Sequence, residues 1–432
     1  MRKPLNRLRA LTAAGAAGAL ALTAACGGSG GSNDDEITWW HIQNEDPMMS
    51  YWDQLSEEWL EESGSDLTFD TQAIENDSFK QRLSVSESAD EMPDLFQTWG
   101  GGVLAEQAEA GLVRDLTDEL DCLDLINPGY LEAYTVDGRV YGVPFDAGAV
   151  GFWYNKDLFA EAGIDEIPET WSGFLGVVED LKAADITPIA LGESELWPGH
   201  FYWAYLVMRT IGLDALSESA ANMEFSDPGF VEAGEHLQDL IELEPFQPGF
   251  EAAPYGEGPD SQAAIMGNGD AAMELMGQWA PSVQADSSGT DGLGDSLGFF
   301  KFPAVEGGAG DINEILSGGN GFAVGNNAPD EVFDYLCYLF SEENQSRILE
   351  NADGLFTTVA ANPENVLDEV DPHLQLVLDT VAESTGAQLY LDQDYPAAVG
   401  ETVNEATGGL FLGDIGPEQV VEDINTAWER EQ

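Results

Sequence analysis

Aromatic rings set beside amides, carboxylates and imidazoles recur along this chain where strands are expected to end. Trp39-Trp40-His41-Ile42-Gln43-Asn44 follows the first apolar run, and strand alternation requires at least one of the tryptophans to be core. Trp99 precedes Gly100, Gly101 and Gly102, which leave its face uncovered by neighbouring side chains. Phe145-Asp146 closes another apolar run, and Glu193, Glu195, Trp197 and His200 crowd into one loop. Gln278-Trp279 follows Gly277 and precedes Pro281, where a helix is expected to start. Asn320 lies among Gly318, Gly319 and Gly321, while Tyr390, Asp392 and Tyr395 mix rings and acids near the C-terminus. An aromatic face packs on the apolar face of a ring compound. Amides, carboxylates and imidazoles pair with its hydroxyls, which are costly to bury unpaired. That is the chemistry of noncovalent recognition.

Each group also has a structural reading. His41, Gln43 and Asn44 can be loop and cap residues for the next helix, Trp99 a core ring, Asp146 a cap of the chain crossover and Trp279 a helix staple. In so acidic a chain Glu195 by itself carries little.

Bond-making chemistry finds less support. No G-x-S-x-G elbow is present. Gly319-x-Gly321 is followed three places on by Val324, so the dinucleotide fingerprint fails and close backbone approach explains the glycines better. With 4 histidines and no C-x-x-C spacing, no metal or cofactor is expected. A glycoside hydrolase needs only two carboxylates about 5–10 Å apart. The 81 acidic residues leave a secreted carbohydrate-active enzyme as an alternative.

Charge narrows the partners. The formal net charge is −67, with acids spread along the whole chain rather than gathered in a tail. Nucleic acid and anionic lipid would be repelled. So acidic a surface suits high salt, where screening reduces self-repulsion. A salt-loving or salt-tolerant source is the expectation.

The N-terminus reads as a targeting segment. Arg2, Lys3, Arg7 and Arg9 precede an apolar run, Leu11 to Ala25, of 15 residues, short of the roughly 20 that span a bilayer. Small residues before Cys26 resemble a bacterial lipoprotein processing site, with Cys26 as the lipidated residue. Thr23 stands where that pattern prefers Leu. An ordinary secretory signal cut after Ala25 is the alternative. Either way the protein is expected outside the cytoplasmic membrane, and with a lipid on Cys26 it is held at the outer face. Residues 27–35, which include Gly-Gly-Ser-Gly-Gly-Ser, read as a flexible tether. Cys122 and Cys337 remain; they can pair in an oxidising compartment, but two separate buried thiols are the favoured reading.

The body alternates strand and helix. Strands are expected over Glu36–Trp40, Leu67–Ile74, Asp94–Trp99, Val140–Phe145, Val150–Tyr154, Thr187–Leu191, Ala271–Met276, Leu297–Phe302 and Gly318–Val324. Helices are expected from Met48 to Gly64, over Phe79–Val85, Leu104–Leu112, Phe201–Ile211 and Val332–Leu349, from Trp171 after the Thr170 cap, and over Val420–Trp428. This is an α/β chain long enough for two cores.

One segment carries a resemblance. Tyr141-Gly142-Val143-Pro144, Tyr154-Asn155-Lys156-Asp157-Leu158-Phe159, Ala162-Gly163-Ile164 and Pro168-x-Thr170-Trp171 resemble the crossover of extracellular solute-binding proteins of carbohydrate-uptake ABC transporters. The resemblance implies a two-lobed, type II periplasmic-binding-protein-like fold, each lobe a sheet flanked by helices, joined by a multi-strand hinge. Lobe one would hold residues 36–146 and 316–365, lobe two 147–315 and 366–432. Ala147-Gly148-Ala149 would be hinge. The implied protein is a monomer that closes on an oligosaccharide and delivers it to ABC permease subunits, without catalysis. A disaccharide or longer, such as xylobiose or an α-galactoside, would suit the several aromatic rings. Trp279 would stack on sugar with Gln278 beside it. Trp99, Trp197, Phe145, Asp146, Glu193, Asn320, Tyr390 and Asp392 would line the cleft with His41, Gln43 and Asn44. A sensing or adhesion lipoprotein of the same fold is the remaining alternative.

Overall fold

The computed structural model describes residues 35–44, 47–290, 292–351 and 372–432. The leader, Cys26, residues 27–34 of the tether and the 365/366 boundary lie outside them. In chain order the strands are β1 (Glu36–His41), β2 (Thr68–Ala73), β3 (Leu95–Thr98), β4 (Thr135–Val136), β5 (Arg139–Val140), β6 (Gly142–Pro144), β7 (Gly148–Ala149), β8 (Gly151–Asn155), β9 (Met273–Met276), β10 (Leu297–Phe300), β11 (Glu314–Gly318), β12 (Gly321–Val324) and β13 (Gly386–Leu389).

One lobe is built on a five-stranded sheet, ordered β2-β1-β3-β12-β6. β1 runs parallel to β2 and β3, and β12 runs antiparallel to β3 and β6. Both faces are covered, which is why Trp39 and Trp40 are both buried although they point opposite ways. Trp39 packs on Trp52, Phe322 and Tyr335. Trp40 joins Phe79, Leu83, Phe96 and Leu104 on the other face. Helix Met48–Ser63 presents Trp52, Leu55 and Trp59 inward. It stops at Gly64, whose φ of 65° suits a residue without a Cβ.

The other lobe holds a sheet ordered β10-β8-β9 and a second ordered β13-β11-β7. Its core surrounds helix Trp197–Ile211, which is buried from Pro198 to Arg209 and packs against helices Gly229–Glu242 and Ala397–Phe411, both of which the C-terminal helix Pro417–Glu431 packs against in turn. A helix apolar on nearly every side needs such all-round cover. The chain leaves the first lobe between β6 and β7 and returns between β11 and β12. The architecture is the expected α/β, two-lobed one.

Five expectations need correction. Val140–Phe145 is two strands: Arg139–Val140 folds back on Thr135–Val136 around Asp137 and Gly138, both at positive φ, and only Gly142–Pro144 enters the large sheet. Gly318–Val324 likewise divides between two sheets. Thr187–Leu191 forms no strand; Ile189 makes single bridges to Phe246 and Met273. Val332–Leu349 breaks after Leu339. There the Ser341 hydroxyl accepts the Asn344 N–H at 3.3 Å and starts a new helix. Cys122 and Cys337, read as separate thiols, form a disulfide across 215 positions. Their separation in sequence hid a pairing that the packing of helix Glu331–Leu339 against the 116–126 segment creates.

Candidate functional site

Where the two chain crossings touch, polar side chains form a buried chain. Asp146 is 1% exposed, and its carboxylate accepts both the backbone N–H of Asn320 and its side-chain amide, the latter at 2.8 Å. Asn320 Oδ1 in turn accepts from Gln97 Nε2 at 2.6 Å, and Gln97 Oε1 accepts the Ile42 N–H at 3.3 Å. Burial pushes the Asp146 carboxyl up to about 7 despite these donors. The crossover-cap reading of Asp146 describes these contacts. Gly148 lies against Gln278 so closely that a Cβ there would overlap the amide. Phe145 is corrected: its ring stacks on Phe322 at 4.6 Å and meets Trp52 edge-on, inside the lobe core. Successive side chains alternate along extended backbone, so Phe145, just past β6, turns inward where Asp146 turns to the crossover.

Lobe two contributes a ring-lined wall. Trp279 is the N-cap residue of helix Ala280–Ser287, and its indole folds back over Gly277, where a Cβ would collide with it. The Tyr390 ring stands edge-on to Trp279 at 6.2 Å. Trp197 meets Tyr255 at 5.1 Å, and its indole N–H donates to Glu195 Oε2 at 2.8 Å. Glu195 Oε1 accepts the Tyr255 N–H at 3.0 Å. Trp197 and His200 therefore stand on the first turn of a helix, not in a loop. Glu193 turns away, toward Gly199 and Gly408 within its own lobe, where burial pushes its carboxyl well up.

Across the cleft the lobes touch through charge. Lys80 Nζ lies 3.3 Å from Asp392 Oδ2 and 5.3 Å from the Trp99 ring centre. His200 Nε2 is 3.9 Å from Asp392 Oδ1. Burial raises the Asp392 carboxyl, but Lys80, His200, Gln393 and Asn404 outweigh it and hold it below its usual range. Glu75 and Asp77 of lobe one come close to Glu195 of lobe two. The glycines after Trp99 do not bare its face. They let the start of helix Gly101–Glu109 press on the backbone of Gln393 to Tyr395, while Phe79 and Lys80 flank the indole.

Several buried polar atoms here lack hydrogen-bond partners: both ring nitrogens of His41, His200 Nε2, Gln43 Oε1 and the Tyr390 hydroxyl, while the Gln278 amide leans on the Asp146 carboxyl. His41 is fully buried, which lowers it to about 4 and keeps it neutral. Asn44 is half-buried, its backbone N–H donating to the Ile42 carbonyl. Sequence reasoning missed Lys80, Gln97, Tyr255 and Asn404. Lys80 carried a signal, as one of only 14 basic residues; the other three carried none.

The model of the bacterial extracellular solute-binding proteins matches residues 43–346. A multiple sugar-binding protein of Streptococcus mutans is 28% identical over 232 residues, 51% of this chain and 52% of its own length. An extracellular-binding protein of an ABC transporter in Pyrococcus horikoshii is 27% identical over 51% of this chain and 50% of its own. This chain spans about half the length of these curated relatives. A chitin oligosaccharide binding protein superposes with a TM-score of 0.82 at 27% identity, over 91% of this chain and 98% of its own. A structure from work on xylan utilization by Caldanaerobius polysaccharolyticus gives 0.81 at 27%, over 90% and 99%.

Proposed function

The chain belongs to the bacterial extracellular solute-binding proteins, and we propose that it captures an oligosaccharide and presents it to an ABC permease. The carrying observation is the pair of unpartnered polar atoms on His200 and Tyr390, beside Trp197 and Trp279 respectively, with the unpartnered imidazole of His41 buried at the end of β1. Saccharide hydroxyls would complete those hydrogen bonds, and indole faces would take the apolar side of a pyranose. The similarity to a multiple sugar-binding protein, to a chitin oligosaccharide binding protein and to a protein of xylan utilization supports the same class. Lobe one is taken as residues 36–146 and 316–365, lobe two as 147–315 and 366–432, with a lipid on Cys26 holding a monomer at the membrane. Ligand caught on one lobe recruits the other, because some contacts exist only when both touch it. Phe145 and Glu193 are withdrawn from the contact set, and Asp146 and Asn320 act as hinge groups at its floor.

Calorimetry over xylobiose, chitobiose, raffinose and longer homologues tests the reading. One of them should bind with micromolar or tighter affinity, and hydrolysis of aryl glycosides should be absent. A folded protein that binds none, or that cleaves the glycosides, overturns it.

A further inference from the structure

Glu274 lies in β9, three residues before the Gly277-Gln278-Trp279 turn, and is fully buried. Among the described residues no lysine, arginine or histidine acts on it; the titratable groups that sense it are the phenols of Tyr202 and Tyr255, and Tyr202 also senses Glu193. Its contacts are amides. Oε2 meets Gln262 Nε2 at 2.9 Å and Oε1 meets the Gln284 amide at 2.6 Å. Gln262 Oε1 accepts the Gly192 N–H at 2.8 Å, at the start of the turn that carries Glu195 and leads into the helix begun by Trp197. Gln284 stands on the helix that Trp279 caps. One carboxyl group thus joins the two segments that hold Trp197 and Trp279.

A buried carboxylate without a cation is costly. A glutamine amide has the same shape either way round, and the Oε1 of Gln284 has no donor as placed. Reversing that amide leaves one atom unpaired, as before, but converts the contact into O–H···O=C with no buried charge. Burial raises the group to about 7, in keeping with a proton held there.

We propose that Glu274 is a neutral carboxylic acid donating to a reversed Gln284 amide, a positioning residue that sets the tryptophans of the cleft in a proton-dependent way. The coupling to ligand rests on the saccharide reading above; the protonation does not. Ionisation would turn Gln284 round and strain the start of helix Ala280–Ser287, so the site is set below neutral pH and loosened above it.

Glu274→Gln tests this in the full chain. Its amide donates where the acid's O–H does, so the variant should fold and match the protonated form. Between pH 4.5 and 7 wild type should lose stability relative to the variant, up to tenfold in the unfolding constant per pH unit, because its native state holds a proton that the unfolded chain releases. Above pH 7 the difference should level off. A change in tryptophan fluorescence near pH 7 should appear in wild type, vanish in Glu274→Gln and shrink in Trp279→Phe. Affinity for whichever sugar binds should fall above pH 7 in wild type alone. A variant that fails to fold points to an ionised Glu274 needing two donors, and overturns the proposal. So does an unchanged pH profile, or fluorescence that ignores Glu274. Absence of sugar binding with the stability and fluorescence results intact would overturn the saccharide reading instead.

Discussion

The Asp146 carboxylate accepts two hydrogen bonds from Asn320, a residue 174 positions further along the chain. Asp146 leaves lobe one just after β6, and Asn320 re-enters it just before β12. The pair therefore clamps both chain crossings to each other. Gln97 extends the clamp into the central sheet.

Asn320→Ala removes one donor to a buried acid and leaves Gln97 Nε2 without its acceptor. The variant should lose about 2–4 kcal/mol of stability, read from the urea midpoint at unchanged m. A midpoint equal to wild type would show that the clamp contributes nothing.

Trp279→Ala should weaken saccharide binding at least tenfold, about 1.4 kcal/mol or more, while circular dichroism stays native. The indole covers Gly277 and faces the Tyr390 edge rather than filling the lobe core. Unchanged affinity in the folded variant would remove Trp279 from the site.

His41 and Asp146 should pull the pH profile in opposite directions. His41 is lowered to about 4, so between pH 6.5 and 4 the unfolded chain binds the extra proton and stability falls with acidification. Asp146 is raised to about 7, so its native state keeps a proton that the unfolded chain loses, and stability falls as pH rises from about 4 to 7. His41→Gln should spare up to about 3 kcal/mol of the acid-side loss, seen by denaturation at pH 4.5 against pH 7. Parallel curves for variant and wild type would contradict a neutral buried imidazole.

Reducing the Cys122–Cys337 disulfide frees a loop spanning 215 positions. Loss of about 3–5 kcal/mol is expected from chain entropy, measured as a lower melting temperature in reductant. Cys122→Ala/Cys337→Ala should melt where the reduced protein does and ignore the reductant.

Salt should stabilise the whole molecule. With a net charge of −67 the folded state is compressed against its own repulsion, and screening acts within a few ångströms at molar salt. Melting temperature should climb steeply from low to molar sodium chloride. A flat response would refute the salt-adapted reading.

Local pattern by itself determined most elements. The Trp52, Leu55 and Trp59 spacing, Gly64 at its end, the Thr170 cap before Trp171 and the apolar run of β8 report short-range preferences that tertiary packing left intact. The solute-binding family was legible from Gly138 to Trp171 for the same reason, since a contiguous string carries its own turn, strand and helix signals. Tertiary structure alone decided which partners meet across long separations. Phe145 and Asp146 are neighbours, yet one turns into the core and the other to Asn320. Cys122 found Cys337, Lys80 found Asp392, and Glu274 gathered Gln262 and Gln284. Such contacts leave no periodicity to read. Their energies depend on burial and on charge within a few ångströms, and those exist only once both lobes are folded.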